Sequence, residues 1–480
     1  MDFHDRKKIP LEEFENSQTC NALNRMQHEF AQELEDVLFT FLSVLYLIVS
    51  ILVYAIELYN TFPLLPLLIA VGNFPVLIQS FLYNKRQREQ QIIASNSSRK
   101  SNYYLSQMSD RNSIKYIQTL HLNEFFWKKF WSHNQKTVEA RQKNNILFFK
   151  RSITSNAWRK SLQALCLLIT TLCILDGKLS IGAFAMVYTA VESLNGNIGS
   201  LIAKAGAFGM FSLQLDDMDY LSCLCNLNHT SKSLNKQISK VDLIDVSYNY
   251  PNSSRQNLTH INASFEIGKS TLIVGKNGSG KTTLLYSIAG LLAYSGDIKI
   301  NGHDIKLCIE SYQKRVSMSF CPFNKFPETL QENIFLDRPG FNLNSALIDD
   351  LIRKLPGGLQ TKLGQLESEG TDLSGGEWKS IALERAINKS GADIYLFDEP
   401  LENLDIFKCD TAIKKLIEIG KRHILIAVLH ELKYANLFDN IIVIDNGQII
   451  ESGSFSQLIS KKGAFYELFS YYEDAPICLE

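Results

Sequence analysis

Three stretches in the second half of the sequence carry residue types suited to a phosphate chain. Gly275-Lys276-Asn277-Gly278-Ser279-Gly280-Lys281-Thr282-Thr283 follows the apolar run Ser270–Val274 and precedes a helical stretch. Its glycines let backbone N–H groups wrap phosphates, and the helix N-terminus adds a positive dipole. Lys281 suits the β and γ phosphates of ATP, and the Thr282 hydroxyl suits Mg2+. Ile394-Tyr395-Leu396-Phe397-Asp398-Glu399 is an apolar strand ending in two acids. Asp398 at the tip is suited to hold Mg2+. Glu399 is suited to orient or deprotonate an attacking water. The pair alone would be an ordinary solvated strand end; the preceding phosphate loop gives it meaning. Leu373-Ser374-Gly375-Gly376-Glu377 opens another helical stretch and presents a second anion cradle. One pocket needs one cradle, so the second is expected to serve the nucleotide of another subunit.

The elements that must position these groups are readable as patterns. From about Lys240, short runs rich in β-branched residues alternate with helical stretches: Ser270–Val274, Gly296–Ile300, Ile394–Phe397, Ile424–Val428 and Ile441–Ile444. That alternation predicts an α/β domain with a mostly parallel sheet over 237–480. Residues 1–236 read differently. Val37–Ile56 and Leu58–Asn84 contain no charge. Twenty helical residues cover about 30 Å, the thickness of a bilayer's hydrocarbon core. Four spans are expected, at about 37–57, 62–83, 161–176 and 179–203. Buried core helices are the alternative, disfavoured by the lengths and by the tight Asp176-Gly177-Lys178 turn. Lys85–Lys160 holds sixteen Lys and Arg against four acids. Such an excess marks a cytoplasmic segment, read as helical extensions of the spans over 85–160. Both termini then lie in the cytoplasm. The polar, acid-bearing N-terminus does not read as a cleavable signal peptide.

The 480 residues carry 49 Lys and Arg against 50 Asp and Glu, a formal net charge of -1. With 45% hydrophobic residues the chain is too apolar for disorder, and it is too neutral to coat nucleic acid. The near-zero charge is a cancellation. Residues 1–236 have 24 basic and 19 acidic residues, and 237–480 have 25 and 31. Nine scattered cysteines read as reduced thiols facing a cytosol.

Taken together, these motifs resemble those of ABC transporter ATPases. Leu373–Glu377 with its following helix is similar to the family's signature motif. Tyr250 resembles the aromatic that stacks on adenine, and Glu399–Asp405 resembles the D-loop ending in Asp405. His430, after the strand at 424–428, resembles the switch histidine that contacts the γ-phosphate. The resemblance implies ATP bound by Tyr250 and Gly275–Thr283, and Mg2+ held by Thr282 and Asp398. It implies catalysis by Glu399 and His430, with Ser374, Gly375, Gly376 and Glu377 reaching the ATP of a partner chain. The partner would be a second copy or a related half-transporter. The first half resembles an exporter-type membrane domain fused to its ATPase domain, and Trp378 resembles the branch that exports lantibiotic peptides. A multi-pass protein of the cytoplasmic membrane, moving a peptide at the expense of ATP, is the implied function.

Two departures from the family pattern stand out. Two spans that the family has before the first one here are expected to be missing. The position of the family's Mg2+-touching glutamine falls at Cys321, and a thiol lacks the amide's carbonyl and its two donors. These departures motivate the alternative reading, an ATP-binding but transport-defective or regulatory subunit. A soluble chromosome-type ATPase with the same signature is disfavoured by the apolar runs.

Overall fold

The computed structural model describes residues 9–226, 233–234, 236–251, 256–336, 345–364 and 370–474. The chain divides into two compact units. One is Ser17–Cys223; the other starts at Leu224 and includes the N-terminal residues 9–16. The division lies ahead of the expected boundary at 236/237.

The first unit is helical: α1 (Ser17–Thr61), α2 (Leu64–Ser109), α3 (Arg111–Thr119), α4 (Asn123–Leu175) and α5 (Ile181–Asn226). Among the described residues, Leu38–Thr61, Leu64–Gln87 and Gln142–Leu175 are long and apolar enough to cross a membrane. They overlap the first three expected spans. The region of the fourth, 179–203, lies at the start of α5 but falls outside that set; Glu192, Asn195 and Asn197 interrupt its apolar run. Helices α2 and α4 carry the 85–160 segment as long extensions, with α3 between them. Gly177, at φ 73°, closes α4. Its N–H donates to the Ile174 carbonyl and the Lys178 N–H to that of Cys173, satisfying the helix end.

Pro75 sits inside α2 and has no N–H, so the Val71 carbonyl loses its helical donor. The indole N–H of Trp158 on α4 donates to that carbonyl at 3.4 Å. Beside it, a Cβ at Gly72 would lie 3.5 Å from Leu162, so the small residue permits close approach of the two helices. Leu58, Leu65, Ile69, Cys166, Val187 and Val191 form the unit's buried core. Leu38, Phe39, Leu42, Tyr46 and Val53 of α1 are exposed, as side chains facing lipid would be.

Among its described residues the second unit has the strands β1 (Lys240–Tyr248), β2 (Leu258–Glu266), β3 (Ser270–Val274), β4 (Ser295–Ile300), β5 (His303–Asp304), β6 (Val316–Ser319), β7 (Ile394–Asp398), β8 (Ile424–Val428), β9 (Asn440–Asp445) and β10 (Gln448–Gly453). Its helices are α6 (Lys281–Ile288), α7 (Ile309–Arg315), α8 (Leu330–Phe335), α9 (Asp349–Lys354), α10 (Gly375–Ile387), α11 (Ile406–Gly420), α12 (Phe455–Lys461) and α13 (Ala464–Asp474). The larger sheet has the order β10-β9-β3-β8-β7-β6 and is parallel except for β10. Every residue of β3, β7 and β8 is buried, as expected of strands covered on both faces.

The strand expected at Gly296–Ile300 corrects the single-sheet expectation. It is β4, in a separate antiparallel sheet of order β2-β1-β4-β5. Its burial alternates, with Ile298 and Ile300 inside and Lys299 half-buried between them. A strand with one covered face does not need the all-apolar run of β7. The two N-terminal strands of this sheet also escaped the sequence pattern. The N-terminal segment packs on the same unit: Ile9 is buried, and the Glu12 carboxylate accepts the Ala293 N–H.

Candidate functional site

The register of the larger sheet assembles the site. Ile273 of β3 and Asp398 of β7 both pair with Val428 of β8. The residues following these strands, Gly275, Glu399 and His430, therefore leave the sheet at the same edge. Crevices at the carboxyl ends of parallel strands are where such sheets bind ligands.

The phosphate loop leads from β3 into α6, with Gly278 at φ 75° and Gly280 at φ 107°. A Cβ at Gly280 would lie 2.6 Å from the Asn257 carbonyl oxygen. Lys281 is buried, and its ammonium donates to the carbonyls of Gly275 and Lys276 at 2.9 and 3.0 Å. Burial lowers its pKa. The Ser279 hydroxyl is buried without a hydrogen-bond partner among the described residues. A buried ammonium held only by carbonyls, beside an orphaned hydroxyl, fits an anion such as a phosphate.

Asp398 is 1% exposed, and its carboxylate accepts the Thr282 hydroxyl at 3.2 Å. Burial raises its pKa to about 6, aided by the neighbouring Glu399. A hydroxyl and a carboxylate converging at a phosphate loop are the oxygen donors that Mg2+ takes. Glu399 adopts φ 46°, and its N–H donates to the Val428 carbonyl at 3.1 Å. Its carboxylate lies 2.7 Å from His430 Nε2. The predicted catalytic pair is thus one hydrogen-bonded unit.

The Ser374–Glu377 segment, expected as a second anion cradle, forms the N-terminus of α10. Ser374 caps α10 and forms a reciprocal box with Glu377, which explains why both residue types recur at that spacing. A Cβ at Gly376 would meet the Asn403 carbonyl oxygen at 2.6 Å. No hydrogen bond among the described residues links Ser374–Glu377 to the phosphate loop. Asp405 caps α11 through the Lys408 N–H. Tyr250 packs edge-on against Tyr248, with ring centroids 5.0 Å apart.

Residues 258–402 match the family described as ABC transporter. The subtilin transport ATP-binding protein of Bacillus subtilis is 28% identical over 471 residues, covering 94% of this chain and 75% of that protein. The nisin transport ATP-binding protein of Lactococcus lactis subsp. lactis is 31% identical over 404 residues, covering 79% of this chain. This chain spans 66% of that relative's length. A bacterial Atm1-family ABC exporter solved with ATP bound shares the fold. Its TM-score is 0.81 at 19% identity, covering 98% of this chain and 83% of that one. The chain belongs to the ABC transporter family. Its second unit is an ABC-type ATPase domain that binds ATP, and its apolar helices make it a protein of the cell membrane.

Cys321, the residue expected at the family's glutamine position, lies in the loop after β6. Cys321 Sγ donates to Glu402 at 2.9 Å. One ligand atom each from Cys321, Glu399 and Glu402 lies within 4.8 Å of the others. Burial, with Glu402 beside it, pushes the thiol up to about 12. Lys379 of α10 shares this neighbourhood. It is fully buried, lies over the Phe323 ring, and makes no hydrogen bond among the described residues. Burial lowers its ammonium's pKa. Sequence reading missed both Glu402 and Lys379. Neither carries a local sequence signal: Lys379 lies two residues after Glu377 in α10, and its burial is known only from the fold.

A thiol at about 12 holds about a thousandfold less thiolate than one at the usual 9. Iodoacetamide should therefore label Cys321 at least about tenfold more slowly than an ordinary cysteine, since the greater nucleophilicity of its thiolate offsets part of that deficit, read by peptide mass spectrometry. Glu402→Gln should accelerate that labelling. Labelling at the rate of a free thiol would rule out the Cys321–Glu402 contact.

Proposed function

We propose that the chain is an ATP-driven exporter that moves a peptide, of the lantibiotic class, across the cytoplasmic membrane. The observation that carries the reading is the phosphate loop facing Asp398, Glu399 and His430 at one sheet edge, in a chain whose other unit holds membrane-length apolar helices. The names of the subtilin and nisin relatives support the cargo class.

Two such chains, identical or related, would close their ATPase domains head to tail. Gly275–Thr283 would hold the phosphates of one ATP and Tyr250 its adenine. Ser374–Glu377 of the other chain would complete the pocket. Thr282 and Asp398 would hold Mg2+, which supplies charge neutralisation at the β and γ phosphates. Glu399 accepts a proton from the attacking water, and His430 fixes the carboxylate's position. Water adds in line at the γ-phosphorus as the bond to the β-bridging oxygen breaks. Binding free energy for ATP then biases a two-state membrane element.

Inside-out vesicles carrying the full chain test this. They should accumulate a fluorescent amphipathic peptide when ATP is added, and not with Glu399→Gln. Retained ATP binding without accumulation would instead support the transport-defective reading that Cys321 motivated.

A further inference from the structure

The helical unit carries a belt of polar side chains that link its helices. Asn197 Nδ2 on α5 donates to Ser50 Oγ on α1 at 2.8 Å. Asn73 Nδ2 on α2 donates to Asn195 Oδ1 on α5 at 2.8 Å. Lys160 Nζ on α4 donates to Glu192 Oε1 on α5 and to Gln163 Oε1, each at 2.9 Å. Gln163 Nε2 donates to the same Glu192 oxygen at 2.9 Å. At 1.5 Å per helical residue, these groups and Arg159 lie roughly 14–24 Å from the helix ends at Thr61, Leu64, Leu175 and Ile181. In a hydrocarbon core about 30 Å thick, that runs from the middle, where Glu192 lies, to the cytoplasmic boundary, where Arg159 and Lys160 end the 85–160 segment.

The belt has two parts. Asn73 and Asn195 are 1% and 6% exposed and tie α2 to α5. The Lys160 and Glu192 side chains are 56% and 40% exposed. Ionised groups at that depth face a water-filled path or a protein interior, not lipid. This face of α4 and α5 therefore lines an aqueous path.

Its charge does not balance. Arg159 and Lys160 bring two positive charges against the one acid, Glu192, which Lys160 already engages. Arg159 makes no hydrogen bond or ion pair among the described residues. Its Nε is enclosed without an acceptor, and its Nη1 lies 4.0 Å from the Cβ position of Gly199. A guanidinium whose Nε has no acceptor among the described residues, and which shares the one acid with Lys160, favours a further anionic partner, and its planar fork matches a carboxylate.

We infer that Arg159, with Lys160, Gln163 and Glu192, forms a cargo-reading site in the membrane path and takes a carboxylate of the transported peptide. The inference rests on the export reading above. Lys160 and Gln163 hold the Glu192 carboxylate in place, which leaves the Arg159 guanidinium for the cargo.

The test uses inside-out vesicles of the full chain and one apolar, fluorescent decapeptide in two forms. One has a free C-terminal carboxylate and the other a C-terminal amide. At low peptide concentration the acid should accumulate about tenfold faster than the amide, the scale of one hydrogen bond to a charged group. Arg159→Gln should bring that ratio to within about twofold, and Arg159→Lys, which keeps the charge but loses the fork, should retain only part of it. Glu192→Gln should raise it, because the competing acid is gone. The ratio is read within each variant, so differences in folded amount cancel. A ratio near one for the unsubstituted chain, or a ratio unchanged by Arg159→Gln, overturns the site while leaving export intact. Accumulation of neither peptide, with ATP binding retained, overturns the export reading and the site with it.

Discussion

Glu399→Gln lowers ATP turnover by about a thousandfold and leaves ATP binding within about twofold. The substitution keeps the side chain's size and shape, so the turn at the end of β7 is preserved. Glu399 holds φ 46° there, fixed by its N–H on the Val428 carbonyl. An amide still meets His430 Nε2 across 2.7 Å, but it takes no proton from water. Affinity survives because the groups facing the phosphates, Lys281 and the loop amides, are untouched. Phosphate release by the purified full chain and binding of a fluorescent ATP analogue measure the two quantities separately. Turnover within tenfold of the unsubstituted chain would remove Glu399 from the role of base. His430→Ala should cost less, since the carboxylate remains and only its orientation loosens.

The legible part of the site was the part written in local sequence. The phosphate loop occupies nine consecutive residues, and Asp398 and Glu399 end a strand buried at every position. Both signals survive without knowledge of the fold. The Ser374–Glu377 cradle was legible for the same reason, since a capping box is complete within four residues. Glu402 and Lys379 were not legible. Each meets Cys321 only because the loop after β6, the helix α10 and the loop after β7 converge, and their sequence separations of 58 to 81 residues carry no periodic trace. Lys379 also looks like an ordinary surface lysine of a polar helix face until its burial is known.

The fold shows the same division. Charge-free runs announced the first three membrane-length helices, because hydrocarbon demands apolar length at every turn. The start of α5 resisted that reading. Glu192, Asn195 and Asn197 are matched by partners on α1, α2 and α4, and such pairing is a tertiary fact. Likewise β4 reads like a strand of the parallel sheet until its partners are known. The N-terminal segment's attachment through Glu12 to Ala293 spans 281 residues and has no sequence signature.

Gly275→Ala should lower ATP affinity about a hundredfold, the scale of losing a hydrogen bond to a charged phosphate. Gly275 follows β3 with φ 152°, and a Cβ there would lie 2.1 Å from the Ile444 carbonyl oxygen at the end of β9. That is backbone in a strand paired on both sides, by β10 and β3, so it does not yield by rotating a side chain. The same Cβ would lie 2.9 Å from the Ser279 hydroxyl. The loop must therefore leave β9, although the Gly447 N–H holds it there through the Ser279 carbonyl. Moving Gly275 also withdraws the carbonyl that positions Lys281, so the ammonium loses its aim at the phosphates. The control is Gly302→Ala in the β4–β5 turn, with φ 85° and nothing within 4 Å of the added carbon. It carries only the backbone penalty, about 1 kcal/mol, and should leave ATP affinity within about twofold. Titration of both variants with a fluorescent ATP analogue separates the two effects. Equal affinities would mean that the loop yields to the added carbon, and that ATP binding does not depend on the close approach of Gly275 to β9.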